Sequence, residues 1–350
     1  MRGPRIEITQ EMVGLVAEID EFKGRWKELR GVSPAVMRSL RHVASIESIG
    51  SSTRIEGSRL SDAEVERLLS GLSITSFSTR DEQEVFGYAE TMDLIFQAYD
   101  EIPLSENHIR QLHQMLLRHS TKDERHRGEY KKLPNNVVAR NADGVEIGVV
   151  FETSTPFETP MEMELLVKWS NQAEADKILH PLMRIAVFVV RFLAIHPFQD
   201  GNGRLSRILT TLMLMKAGYL YVPFSSLESV IEDNKDLYYK ALRRTQVSLK
   251  KETEDWEPWV GFFLRCLKKQ KDNLVTKIDQ AERGDDKELG SLSRAILKAL
   301  AEDERLSTSE LREITDSNQN TLKVKLSELV NAGLIRRHGK GRATEYSRPI

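Results

Sequence analysis

Apolar residues recur every three or four positions through most of this chain, the mark of helices with one buried face. The spacing predicts helices over residues 9–29, 35–49, 64–70, 81–99, 105–118, 160–175, 182–195 and 204–217. Gly31 and Pro34 separate the first pair, and Gly50-Ser51-Ser52 reads as a break after the second. Ser61-Asp-Ala-Glu64 reads as a capping box opening the third. Between residues 130 and 156 the pattern changes. Val137-Val-Ala-Arg140 and Glu146-Ile-Gly-Val-Val-Phe151 flank Asn141-Ala-Asp-Gly144, which predicts a β-hairpin. After Leu267 the charged strings Lys268-Lys-Gln-Lys-Asp-Asn and Glu282-Arg-Gly-Asp-Asp-Lys-Glu288 carry few apolar anchors, and read as a solvated helix and linker. Beyond them come helices over 292–301, 308–314 and 317–332, the last ending at Gly333, a C-cap position. Residues 334–338 and 343–346 around Gly339-Lys-Gly341 then form a second hairpin. Three helices followed by a hairpin make a winged helix-turn-helix. The expected fold class is mainly α, with one hairpin in the larger part and a small winged domain behind it. The expected divisions are residues 1–80, 81–265, 266–289 and 290–350.

Composition adds limits. The 350 residues suit two or three domains, and the net charge of -2 gives no global attraction to nucleic acid or membrane. Any basic patch must be local. Cys266 is the only cysteine, so no intrachain disulfide framework exists, as in a reducing cytoplasm. The first residues show no apolar signal core, and the most apolar run, 185–195, contains Arg191 and is too short to span a bilayer. The expectation is a cytoplasmic protein with no membrane partner.

Candidate chemistry concentrates in His196-Pro-Phe-Gln-Asp-Gly-Asn-Gly-Arg-Leu-Ser-Arg207. Gly201-Asn202-Gly203 precedes a helical run, and a glycine turn opening a helix aims several backbone N–H groups at one anion. Arg204 and Arg207 share a helix face and offer planar, bidentate donors to phosphate. Asp200 is a hard oxygen ligand suited to Mg²⁺ shared with phosphates. His196 titrates near neutrality and can accept a proton from an attacking hydroxyl. Together these residues are equipped to handle a nucleotide polyphosphate.

The string fits H-x-F-x-[DE]-G-N-G-R-x-x-R at every fixed position, and residues from about 40 to 265 resemble the Fic family. Upstream, Ser52-Thr-Arg-Ile-Glu56-Gly57 is similar to that family's inhibitory motif, [ST]-x-x-x-E-[GN], in its N-terminal placement. Downstream, Tyr238-Tyr239 resembles its adenine-pocket pair. The resemblance implies a helical Fic fold and transfer of the AMP of ATP to a protein Ser, Thr or Tyr hydroxyl. It implies His196 as base and Asp200 on Mg²⁺. Gly201, Asn202, Gly203, Arg204, Leu205, Ser206 and Arg207 would surround the phosphates, and Phe198 would be an apolar anchor. Tyr238 and Tyr239 would flank adenine, a weaker hint points to Gln246 there, and Glu56 would compete for Arg207. Ser52 and Glu56, four apart, would share a helix face. The hairpin would be the family's flap, docking the target by strand pairing. It lacks the usual proline-rich run, with only Pro156 and Pro160 present, so target preference stays open.

The same residues leave alternatives. A similar site could remove AMP, with Glu56 orienting water. The chain could instead be a regulator whose nucleotide site gates DNA binding. The C-terminal module resembles winged-helix DNA-binding domains. Its basic residues are Lys323, Lys325, Arg336, Arg337, Lys340, Arg342 and Arg348, and Asn318, Gln319, Asn320, Thr321 and Lys323 stand near the start of the recognition helix. Duplex DNA through residues 290–350 and a target protein are the expected partners. Protein contact through the module and a homo-oligomer remain open.

Overall fold

The computed structural model describes residues 3–26, 33–70, 77, 79–140, 146–249, 251, 253–288, 291–302, 305–331, 335–339 and 344–347. The chain divides into two units, Met1–Leu29 with Arg41–Asn273, and Arg30–Leu40 with Leu274–Ile350. The architecture is mainly helical. Helices α1 (Gln10–Trp26), α2 (Pro34–Ile55), α3 (Asp62–Ser70), α4 (Arg80–Ala98) and α5 (Glu106–Leu116) precede an antiparallel hairpin, β1 (Val137–Arg140) with β2 (Glu146–Phe151). Helices α6 (Thr159–Ala175), α7 (Pro181–Ile195), α8 (Asn202–Lys216), α9 (Leu227–Asp233), α10 (Lys235–Ser248) and α11 (Glu257–Glu288) follow. The chain then runs through α12 (Ser291–Glu302), β3 (Leu306–Ser307), α13 (Thr308–Thr315), α14 (Gln319–Asn331), β4 (Arg336–His338) and β5 (Glu345–Ser347). The predicted elements recur in place, with ends shifted by a few residues. Both predicted turns, at 141–144 and across 340–341, lie wholly or partly outside the described residues, as does Gly333.

The first unit is organised around α7. Its sequence, PLMRIAVFVVRFLAI, is apolar apart from Arg184 and Arg191, which are buried and paired with Glu174 and Glu254, so a central position suits it. It packs against α6, α8 and α10, and the Trp259 indole N–H donates to Ala186 O at 2.8 Å. Pro181 opens the helix, where a missing N–H costs nothing, and the His180 ring accepts from Leu182 N. Helices α4 and α5 approach closely at Gly87, where a Cβ would lie 2.1 Å from Leu116 O. This contact fixes α5 beside the start of α8.

Two readings of the sequence need correction. Gly50-Ser51-Ser52 does not break α2, which runs on to Ile55. A Cβ at Gly50 would meet only side-chain ends, Asp62 Oδ1 at 2.5 Å and a terminal nitrogen of Arg54 at 2.6 Å. Arg54 then clamps the last turn, with Nε donating to Glu232 Oε1 at 2.7 Å, one terminal nitrogen to Glu232 Oε2 at 2.9 Å and the other to Asp62 Oδ1 at 2.8 Å. Tertiary contacts outweigh the weak helix propensity of Gly and Ser. The charged stretch after Leu267 is likewise no linker over its described length. It continues α11 as helix to Glu288, with Gln270, Leu274 and Ile278 buried.

In the second unit Ile296, Leu300, Leu311, Leu322, Leu326, Ile335 and Tyr346 form one core. A full capping box between Ser307 and Glu310 opens α13. The sheet order is β3-β5-β4, with Leu306 and Arg337 on either side of Tyr346. Strand β3 was not foreseen: two residues give no period to read. Among the described residues no helix is long and apolar enough to cross a membrane.

Candidate active site

The site is the turn between α7 and α8. His196 ends α7 in the left-handed region, φ 53°, and Gly201 starts α8 with φ 79°. The positive φ at Gly201 is one reason a glycine stands there. Inside the turn the Asn202 side chain accepts from Phe198 N at 2.9 Å and donates to Phe198 O at 2.7 Å. The amide foreseen as a phosphate donor closes the loop here. Phe198 is fully buried and stacks on His113, centroids 3.8 Å apart.

The His196 Nδ1 faces Leu193 O at 3.4 Å. A carbonyl can only accept, so Nδ1 carries the hydrogen and Nε2 keeps its lone pair. Burial and the Lys131 charge push this imidazole down to about 4, so it is neutral near pH 7. Asp200 accepts from Gly201 N at 2.6 Å, and its Oδ2 meets the Arg80 guanidinium at 2.7 Å. Burial would raise its pKa, but Arg204, the Gly201 N–H and Arg80 outweigh that and hold the carboxyl low.

Gly203 shows what the cradle holds. A Cβ there would lie 2.1 Å from Glu56 Oε1, so a carboxylate already stands over the start of α8. Arg207 donates to the same oxygen at 2.8 Å, to Ser52 Oγ at 2.8 Å and to Ser52 O at 2.9 Å. Burial works against the Arg207 charge, and Glu56 beside it more than offsets that. Gly57, φ 109°, lets the chain leave α2 just past Glu56. Ser52, Glu56 and Gly57 are thus brought to the turn from 140 residues upstream, as the shared helix face predicts.

Arg204 is buried between Glu84, at 3.0 Å, and Asp200, at 3.5 Å. Leu205 faces the core, and the Ser206 hydroxyl donates to Gly203 O at 2.7 Å. Tyr238 is buried among Tyr239, Trp259 and Phe262, its phenol pushed up to about 12 by burial, whereas Tyr239 is exposed at its rim. Gln246, two turns further along α10, is buried.

Several neighbours were missed from sequence. His113 donates from Nε2 to Asp200 O at 3.0 Å and accepts at Nδ1 from Gly128 N at 2.8 Å. Its position four after Ile109, on the apolar face of α5, was the available signal. Arg80 and Glu84 start α4 and read as ordinary helix-opening charges. Lys131 and Asn135 lie in a polar string that looks solvent-facing, yet Lys131 is 3% exposed. No local pattern marks it.

A helical domain whose central turn carries a histidine, an aspartate and a glycine cradle defines a class. Residues 103–214 match the Fic/DOC family, and residues 291–338 match a helix-turn-helix domain. The chain carries a Fic/DOC domain followed by a helix-turn-helix domain. It is 26% identical over 242 residues to the protein adenylyltransferase Fic of Drosophila melanogaster, covering 69% of this chain and 44% of that protein. It is 25% identical over 260 residues to the protein adenylyltransferase fic-1 of Caenorhabditis elegans, covering 70% and 46%. The chain thus spans under half the length of these relatives. A solved Fic family protein from Desulfovibrio desulfuricans superposes with a TM-score of 0.66 at 25% identity, covering 99% of this chain and 98% of that one. A Fic domain containing signaling protein from Bacteroides thetaiotaomicron gives 0.61 at 26%, covering 75% and 97%.

Proposed function

We propose that this chain is a protein adenylyltransferase, moving AMP from ATP to a Ser, Thr or Tyr hydroxyl of a target protein, and that Glu56 restrains it. The observation carrying this reading is the placement of a carboxylate, Glu56, on Arg207 and over Gly203, where a nucleotide's terminal phosphate needs to go. With Glu56 withdrawn, Arg207 is free to pair with that phosphate, and the N–H groups opening α8 face the others. The target hydroxyl attacks the α-phosphorus and gives its proton to His196 Nε2. The new oxygen–phosphorus bond forms as the bond to pyrophosphate breaks. Charge growing on the phosphate oxygens is met by fixed donors, the largest usual contribution to such transfers. Tyr238 and Tyr239 would border the base, and the hairpin would pair with the target backbone.

Among the described residues no cluster of three or more His, Cys, Asp or Glu could cage a metal. Asp200 alone suits Mg²⁺ nonetheless, because that ion is commonly held by one carboxylate and the substrate's phosphates. Asp200 would hold it once Arg80 swings off, and the ion would supply charge neutralisation between phosphates.

The second unit is proposed to bind duplex DNA. Asn318, Gln319, Asn320, Thr321 and Lys323 are exposed at the start of α14, as are Arg336 and Arg337 on β4.

Labelled ATP tests the main reading. Glu56→Gly protein should label itself or a lysate protein more than wild type does. A Glu56→Gly chain that labels nothing, while wild type strips AMP from a pre-modified protein, would favour the removal reaction. ATP-gated DNA binding with neither activity would favour the regulator.

A further inference from the structure

Lys131 is a charged side chain placed where charge is expensive. It is 3% exposed, and its Nζ donates to Asn135 Oδ1 at 2.8 Å, Thr153 Oγ1 at 2.9 Å and Ile195 O at 2.9 Å. An ammonium has three protons, so these acceptors use its whole capacity. All of them are neutral. Glu162 and Glu158 favour this charge and burial outweighs them, so an ammonium here costs more than an uncharged side chain of that shape and packing alone does not explain it.

The acceptors explain it. Ile195 O is the last carbonyl of α7, and the next residue is His196. Thr153 lies just past β2 and Asn135 just before β1, so both ends of the hairpin converge on one ammonium. Asn135 Nδ2 in turn donates to His196 O at 3.1 Å and Phe198 O at 2.6 Å, and Lys131 N donates to Pro197 O at 2.8 Å. The backbone from His196 to Phe198 is held on one side by the Lys131–Asn135 segment and from within the turn by the Asn202 side chain.

We propose that Lys131 is a positioning residue of the transfer reaction, joining both ends of the hairpin to the turn that carries His196 and setting a positive charge next to it. This rests on reading His196 as the base. A base that is already protonated cannot take the hydroxyl proton. Glu56 at the end of α2 and Asp200 on the turn both favour a charged imidazole, while Lys131 opposes it from the segment before the hairpin. A like charge beside an ionisable group disfavours its charged form. Burial does most to keep His196 neutral and able to accept, and the Lys131 charge adds to it. The same ammonium couples hairpin position to base position, so a target strand pairing with the hairpin would act on the residue that activates its own hydroxyl.

The test uses the full chain carrying Glu56→Gly, ¹³C-labelled at histidine, with the His196 resonance assigned by comparison with His196→Gln. In Lys131→Met the His196 midpoint should rise by about one unit or more. The acid limb of kcat for AMP transfer should move up with it. Lys131→Arg, which keeps the charge, should restore both. A Lys131→Met protein that loses activity equally at every pH, with its midpoint unmoved, overturns the inference and leaves Lys131 a packing residue. Should that variant not fold, the unmutated site decides. Burial pushes Lys131 itself down to about 8, so the His196 signal should show a second, smaller inflection there. A flat trace across that region overturns the inference equally. Failure of the adenylyltransferase reading looks different: no labelling at any pH, while the His196 midpoint still responds to Lys131.

Discussion

Two short sequence stretches, Ser52 to Gly57 and His196 to Arg207, hold the residues on which the proposed chemistry turns. Each has the chemical type that its proposed role demands. His196→Ala should lower AMP transfer by about 10²–10⁴-fold, the usual contribution of a general base, without lowering the unfolding temperature. Activity within threefold or so of the parent would remove His196 from that role. In the Glu56→Gly background, Arg207→Ala should undo the gain in labelling and weaken ATP binding measured calorimetrically, because the guanidinium freed by the first change is deleted by the second. If ATP binds the double variant as tightly as the single one, Arg207 does not touch the phosphates. These residues were legible because a motif fixes type and spacing together. His113, Arg80, Glu84 and Lys131 were not. Each reaches the turn from a separate element, and a single histidine or lysine in an amphipathic string carries no mark of what it will face.

At the scale of elements, hydrophobic period located most helices, since a face that must be buried leaves a repeating trace, but α9, α10 and the first part of α11 were not read from it. It failed where contacts rather than propensity decide. Residues 50–52 look like a break and are helix, held by Arg54 on Glu232 and Asp62. That continuity matters, because the helix carries Ser52, and just past its end Glu56, to Arg207. Gly87 is the matching case between α4 and α5, with Leu116 O where a methyl would go. Gly87→Ala should destabilise the first unit by about 1–3 kcal/mol through overpacking, read as a lower urea midpoint. It should also reduce labelling by the Glu56→Gly protein, since α5 supplies His113 beneath Asp200. An unchanged midpoint would mean that the two helices separate without cost.

At the scale of the whole molecule, the described residues of the last sixty form their own core, from Ile296 to Tyr346. Removing residues from 290 onward should leave AMP transfer by the Glu56→Gly chain within about twofold, because every proposed catalytic group lies upstream. The full chain should bind duplex DNA with an affinity that falls steeply with salt, through displaced counterions. Replacing Arg336 and Arg337 together should flatten that slope by about one unit per lost phosphate contact. No salt-sensitive binding across a duplex panel at low ionic strength would assign the module to protein contact instead.

The sequence by itself determined the helical class, the hairpin, the winged module and the residues of the central turn, because periodicity and motif spacing are properties of neighbours along the chain. Only the tertiary structure decided that Glu56 lies over Gly203, that Arg80 pairs with Asp200, and that Lys131 is buried against Ile195 O. Those pairings join residues tens to more than a hundred positions apart. Their energies depend on burial and on the direction of each donor, and neither quantity exists until helices α2, α4, α5, α7 and α8 are packed.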